Sequence, residues 1–328
     1  MAGVPGLRLL LYTGDILDRE SRMRNHCRAS AALLGPALAG IGVLLLALAG
    51  CQPEPDTGKD AEASREAADR MAREHSDDVG EPSAGAAVEP ERAVVAETLP
   101  YAEVNDQLYY GHFVFPSDMV EPLPALIVVH EWWGLNDGVR SMADRLAGEG
   151  YIVLAVDLFG GRVAENPTEA RALIREVLEN PKDAEENIRQ AYQFVRDTAR
   201  APRIASLGWC FGGTWALNAA LLFPNDLDAA VIYYGRVATD AAEFSGLRVP
   251  ILAHFAEKDR SIPLKTVEGF RHALEAAGVA HEIHVYPDVG HAFANPSGNN
   301  YDAGAAEEAW QVSLAFLAQH LARSATAD

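Results

Sequence analysis

The sequence predicts a doubly wound α/β fold: a single domain built on a mostly parallel sheet with helices on both faces. Three observations predict it. From about Leu99 onward, short apolar runs alternate with longer segments that favour helix. A glycine-flanked cysteine stands between one such run and one such helix, in Gly208-Trp209-Cys210-Phe211-Gly212-Gly213. Two more residues with reactive side chains, Asp259 and His291, follow later strands, at the carboxyl ends where open α/β sheets place their working groups.

Taken in order, the chain opens with an address. Ala31 to Gly50 are small or apolar, preceded by Arg22, Arg24 and Arg28, the charge pattern of an export signal. Leu48-Ala49-Gly50-Cys51 looks like the lipobox of bacterial lipoproteins, and that resemblance implies cleavage before Cys51 and lipid attachment to it. An uncleaved anchor and ordinary cleavage after Ala47-Leu48-Ala49 are the competing readings. The expected organisation is an upstream extension over 1–22, a lipoprotein signal peptide over 23–50, an acidic disordered tether over 51–98 and a catalytic domain over 99–328. Gln52 rather than Asp after the cysteine points, by the same analogy, to the outer membrane, with the domain facing the periplasm. The tether is rich in Glu, Asp, Ala, Pro and Gly and buries too little apolar surface to offset the entropy of ordering.

Within the domain, Leu108 to Phe115 reads as an opening strand and Ala125 to His130 as a fully buried one. Asp137 is the expected N-cap of a helix running to about Ala147, stopped by Gly148 and Gly150. Tyr151 to Val156 is a buried strand. Thr168 to Leu178 and Asp183 to Ala199 read as helices split at Asn180-Pro181. The Cys210 strand and helix end before Pro224. Ala229 to Tyr234, Val249 to Phe255 and Glu282 to Tyr286 read as strands, and Leu264 to Ala277 and Ala303 to Leu321 as helices.

The chemistry is legible in the turn around Cys210. G-x-C-x-G-G is the cysteine form of G-x-S-x-G, in which glycines let strand and helix approach around a strained turn and the helix N-terminus faces the nucleophile. An inert buried cysteine is the competing reading of the motif alone. Asp259 and His291 supply a carboxylate and an imidazole, and the chain order nucleophile, acid, base is that of α/β-hydrolases. In that reading Cys210 attacks an acyl carbon, His291 moves the proton and Asp259 holds the tautomer.

Five stretches resemble the dienelactone hydrolase family over most of 99–322: His130-Glu131-Trp132-Trp133-Gly134-Leu135, Asp157-Leu158-Phe159, the Cys210 turn, Tyr233-Tyr234-Gly235 and Gly290-His291-Ala292-Phe293. The resemblance implies a cofactor-free hydrolase of the carboxymethylenebutenolidase kind; no metal site is expected. It implies that Glu131 contacts the resting thiol and that the amides of Phe211 and Trp132 form an oxyanion hole. Trp133, Trp209, Phe293 and Asn295 are expected to wall the substrate pocket. Dienelactone-cleaving members carry Arg four residues past the histidine, where this chain has Asn295, which puts a carboxylate-bearing substrate in doubt. Arg162, Arg171 and Arg175 are the candidates to compensate.

Composition narrows the partners. The chain has 328 residues, 49% of them hydrophobic, and a formal charge of -20, which disfavours nucleic acid. The expected partners are a small ester or lactone and, through Cys51, a membrane; a monomer is expected. Three cysteines are present, at 27, 51 and 210, with no C-x-x-C or H-E-x-x-H spacing. The alternative functions are a non-catalytic periplasmic ligand-binding protein on a hydrolase scaffold, and a thiol redox or metal site at Cys210 and His291.

Overall fold

The computed structural model describes residues 88–322, together with Asp69 and Arg73. The upstream extension, the signal peptide, Cys51 and nearly all of the tether lie outside the described residues. The strands are β1 (Val94–Val104), β2 (Gln107–Pro116), β3 (Ala125–Val129), β4 (Ile152–Val156), β5 (Ile204–Trp209), β6 (Ala229–Tyr233), β7 (Ile251–Ala256) and β8 (His281–Tyr286). The helices are α1 (Asp137–Gly148), α2 (Pro167–Glu179), α3 (Pro181–Gln193), α4 (Phe211–Leu222), α5 (Leu264–Ala277) and α6 (Ala303–Leu321).

All eight strands join one sheet in the order β1-β2-β4-β3-β5-β6-β7-β8. Pairing is antiparallel through β1, β2 and β4 and parallel from β4 to β8. The sheet follows from burial. Every residue of β3 to β7 is buried, so these strands read as mainly apolar runs covered on both faces, with Ser206 and His254 their buried polar members. Each fully buried Val, Leu or Ile there contributes roughly 1.5–3 kcal/mol. α1 and α6 share one face, where the Arg145 guanidinium meets Glu307 at 3.1 Å and lies 3.9 Å over the Trp310 ring. α3 and α4 pack together on the other.

Local chemistry moves several expected boundaries. The folded unit begins before Leu99, because β1 starts at Val94 and pairs along β2. Its alternation is interrupted by Glu97, Pro100 and Glu103, and the register shifts between Pro100 and Ala102, as an edge strand permits. Asn136, not Asp137, caps α1: its side chain accepts from the Val139 amide at 3.1 Å. Gly148 stays inside that helix, and Gly150, with φ of 104°, reverses the chain. The helix expected over Asp183 to Ala199 begins at Pro181, and its last turn, Phe194–Thr198, widens into a π-helix that buries both Phe194 and Val195.

A polar network ties β6, β7 and β8 to α6. His254 Nε2 lies 2.9 Å from Ser313 Oγ and its Nδ1 3.1 Å from the Tyr286 hydroxyl. Ser313 Oγ is 2.7 Å from the Tyr233 hydroxyl, which donates to the Ala309 carbonyl at 3.0 Å. Burial pushes His254 down to about 3, so it is a neutral hydrogen-bonding group.

Candidate active site

β5 delivers Cys210 into a turn with φ 56° and ψ -118°, a conformation that costs an L-residue about 1–3 kcal/mol. Close packing imposes it. A Cβ on Gly208 would run into the Gly212 carbonyl, and one on Gly212 into the carbonyl of Val129 at the end of β3. The Cys210 amide donates to the Tyr233 carbonyl at 2.9 Å, which ties the turn to β6. The Phe211 amide opens α4 beside the sulfur.

The loops after β7 and β8 bring the partners. His291 Nε2 lies 3.3 Å from Cys210 Sγ, and His291 Nδ1 lies 2.7 Å from Asp259 Oδ2. The other Asp259 oxygen accepts from the amides of Ser261 and Ile262 at 2.8 and 2.9 Å, which fixes the carboxylate and leaves Oδ2 to the imidazole. The two loops are stitched together: the Lys258 amide donates to the Val289 carbonyl, and the Asp288 amide to the Glu257 carboxylate, each at 2.9 Å. The Asn300 side chain donates to the His291 carbonyl at 3.0 Å. All three side chains are buried. Burial pushes the Cys210 thiol up, offset in part by His291 and reinforced by the Glu131 charge. Burial alone would pull His291 down, but Asp259 and the sulfur outweigh it and hold the imidazole well above its ordinary value.

The segment after β3 forms the opposite wall. His130 is fully buried; its Nε2 accepts from the Leu158 amide at 3.0 Å, and its Nδ1 donates to the Glu131 carbonyl at 2.5 Å. An amide can only donate and a carbonyl can only accept, so the tautomer is fixed. The peptide anchored in this way is the one that carries the Trp132 amide. The Glu131 carboxylate accepts from Asn295 Nδ2 at 2.5 Å, which links this segment to the histidine loop.

Beside these groups lies a cleft open to solvent, lined by Glu131, Trp133, Trp209 and Asn295; Cys210, Asp259 and His291 are not among its lining residues. Phe293 does not line it either. It is fully buried, packed on Tyr234 and Tyr286 at ring-centroid distances of 5.4 and 4.9 Å, so its expected place in the pocket wall is corrected to the core beneath. Tyr234, Met142 and Pro296 line the cleft without having been singled out as pocket residues. Only the Tyr233-Tyr234-Gly235 stretch carried a signal for any of them. Among the described residues no Lys or Arg lines the cleft. Arg162 pairs with Glu176, and Arg171 and Arg175 with Asp69, so none of the three takes the place of the missing arginine.

The sequence profile of the dienelactone hydrolase family matches residues 111–321. This chain belongs to the dienelactone hydrolase family. It is 33% identical over 249 residues to an Escherichia coli K12 protein named "Putative carboxymethylenebutenolidase", spanning 70% of this chain and 89% of that one. It is 32% identical over 205 residues to "Protein usf" of Aquifex pyrophilus, spanning 60% and 89%. A crystal structure from Klebsiella pneumoniae titled as a "Putative Dienelactone Hydrolase" superposes with a TM-score of 0.62 at 30% identity, covering 70% of this chain and all of that one. As a dienelactone hydrolase family member the protein is a hydrolase with the α/β-hydrolase fold, and the sheet order above is the frame that holds its cleft.

Proposed function

We propose that the protein cleaves a small ester, lactone or thioester through Cys210, His291 and Asp259 and a thioacyl-enzyme intermediate. One observation carries the reading: a sulfur on a strained strand-to-helix turn, 3.3 Å from an imidazole that a buried carboxylate holds at 2.7 Å. The raised basicity of His291 favours its taking the thiol proton as the sulfur attacks the acyl carbon. Asp259 holds the imidazolium that results. The amides of Phe211 and Trp132 receive the developing oxyanion, the second aimed by the His130 anchor on its peptide. His291 then protonates the departing alcohol, thiol or ring oxygen. Water, deprotonated by the same nitrogen, cleaves the thioester and releases the acid. Glu131, gripped by Asn295, keeps the resting thiol protonated through its charge.

We further propose that lipid on Cys51 holds this domain at the periplasmic face of the outer membrane.

The test of the chemistry is Cys210→Ala assayed against esters, lactones and thioesters of graded size. Turnover is expected to fall by at least about 10³-fold, and mass spectrometry of the native protein is expected to show an acyl adduct on Cys210 under single-turnover conditions. Activity that survives the substitution would overturn the thioacyl route. An unreactive thiol with tight ligand binding would favour the non-catalytic reading.

A further inference from the structure

Tyr234 carries a hydroxyl proton that the folded protein leaves unused. The hydroxyl is buried and its proton meets no acceptor among the described residues, an arrangement that costs the desolvation of a polar group unless something else meets it. The residue itself is held at φ 37°, an outlier for a non-glycine residue, of the kind that gathers at ligand sites. Its ring rests 5.1 Å from the His291 ring, and it lines the cleft together with Glu131 and Asn295. The Ala294 amide lies near the phenolic oxygen. That group is itself a donor, so the hydroxyl proton still has no acceptor. Burial, with the charges of Glu131 and Cys210 behind it, pushes the phenol well above its ordinary value, so the oxygen keeps its proton at any physiological pH.

Trp133, Trp209, Met142 and Pro296 are apolar walls of the cleft, Asn136, Asn295 and Ser297 are its neutral polar residues, Glu131 is its carboxylate, and among the described residues no Lys or Arg faces in. We infer that Tyr234 is a specificity-determining residue whose hydroxyl donates a hydrogen bond to an acceptor oxygen next to the scissile acyl group, and that the substrates are neutral, oxygen-substituted esters or lactones. The inference rests on the acyl-hydrolase reading above. A substrate without that oxygen leaves the hydroxyl unpaired in the complex, whereas a matching one satisfies it, and this asymmetry produces discrimination. A substrate carboxylate meets Glu131 and no counter-charge.

The experiment compares the native protein and Tyr234→Phe on three p-nitrophenyl esters of similar length: methoxyacetate, butyrate and hydrogen succinate. On the native protein, kcat/KM is expected to be highest for the methoxyacetate and lowest for the succinate. Tyr234→Phe is expected to lower kcat/KM at least about tenfold for the methoxyacetate and less than about threefold for the butyrate. The variant's Tm is expected to match that of the native protein, since the hydroxyl proton has no acceptor to lose. Equal losses on both neutral esters, or a lower Tm, would show a structural role and overturn the inference. So would the succinate proving the best substrate. No turnover of any ester by the native protein, together with a Cys210 that takes no electrophile, would instead bring down the hydrolase chemistry on which the inference stands.

Discussion

At the scale of single residues, the site depends on how one sulfur is held. Four influences meet at Cys210: burial and the Glu131 charge push its thiol up, and His291 and the Phe211 amide pull it down, with burial the largest. A raised pKa means less thiolate at every pH, so alkylation of the resting protein by iodoacetamide should be slow at pH 7. Its rate should rise with a midpoint on the alkaline side of the ordinary thiol value of about 8.5. Replacing Glu131 by Gln removes one of the upward influences and should move that midpoint to lower pH. A midpoint near pH 5 in the native protein would contradict this electrostatic picture. The sequence makes the reacting residues legible because they sit beside glycines at strand ends, where chain geometry restricts the choice of side chain. It hides Tyr234 and the true place of Phe293. An aromatic residue beside a strand end has the same local pattern whether it faces the cleft or the core, and only tertiary packing separates the two.

Among the elements, those buried on both faces are the ones that sequence alone resolves. β3 to β7 are mainly apolar, with Ser206 and His254 their buried polar members, and α5 and α6 fall where their caps and glycines put them, with Gly278 at φ 71° ending α5. β1 escapes notice because an edge strand needs only one covered face and tolerates Pro100. The π turn at Phe194–Thr198 leaves no mark in composition. The network joining β6, β7 and β8 to α6 makes a testable demand on stability. His254 is held down to about 3 against an ordinary 6.5, so between those values the unfolded chain binds a proton that the folded chain does not. Stability should therefore fall as pH falls through that window, by up to about 1.4 kcal/mol per pH unit from this residue. Urea unfolding at pH 6.5, 5.5 and 4.5 checks it: His254→Asn should show a shallower dependence on pH than the native protein, whatever its absolute stability. Equal slopes would mean that His254 is not the proton-binding difference.

For the whole molecule, the distribution of charge and the proposed anchor belong together. A chain with formal charge of -20 is repelled by anionic lipid, so retention at a membrane requires a tie other than electrostatic adhesion. Among the described residues no helix is long and apolar enough to span a bilayer. On this reading Cys51→Ser should move the protein from the membrane fraction to the soluble fraction after export while ester turnover stays the same. Protein that stays with the membrane would contradict lipid attachment at that position.

The stitching of the Asp259 and His291 loops has a dynamic consequence. Because Lys258 is bonded to Val289 and Asp288 to Glu257, the two loops are constrained to drift as one plate when the protein breathes. A shift of that plate would change the gap to the sulfur while sparing the bond from carboxylate to ring. The enzyme would fluctuate between a reactive and a waiting geometry without ever having to find its imidazole's orientation again.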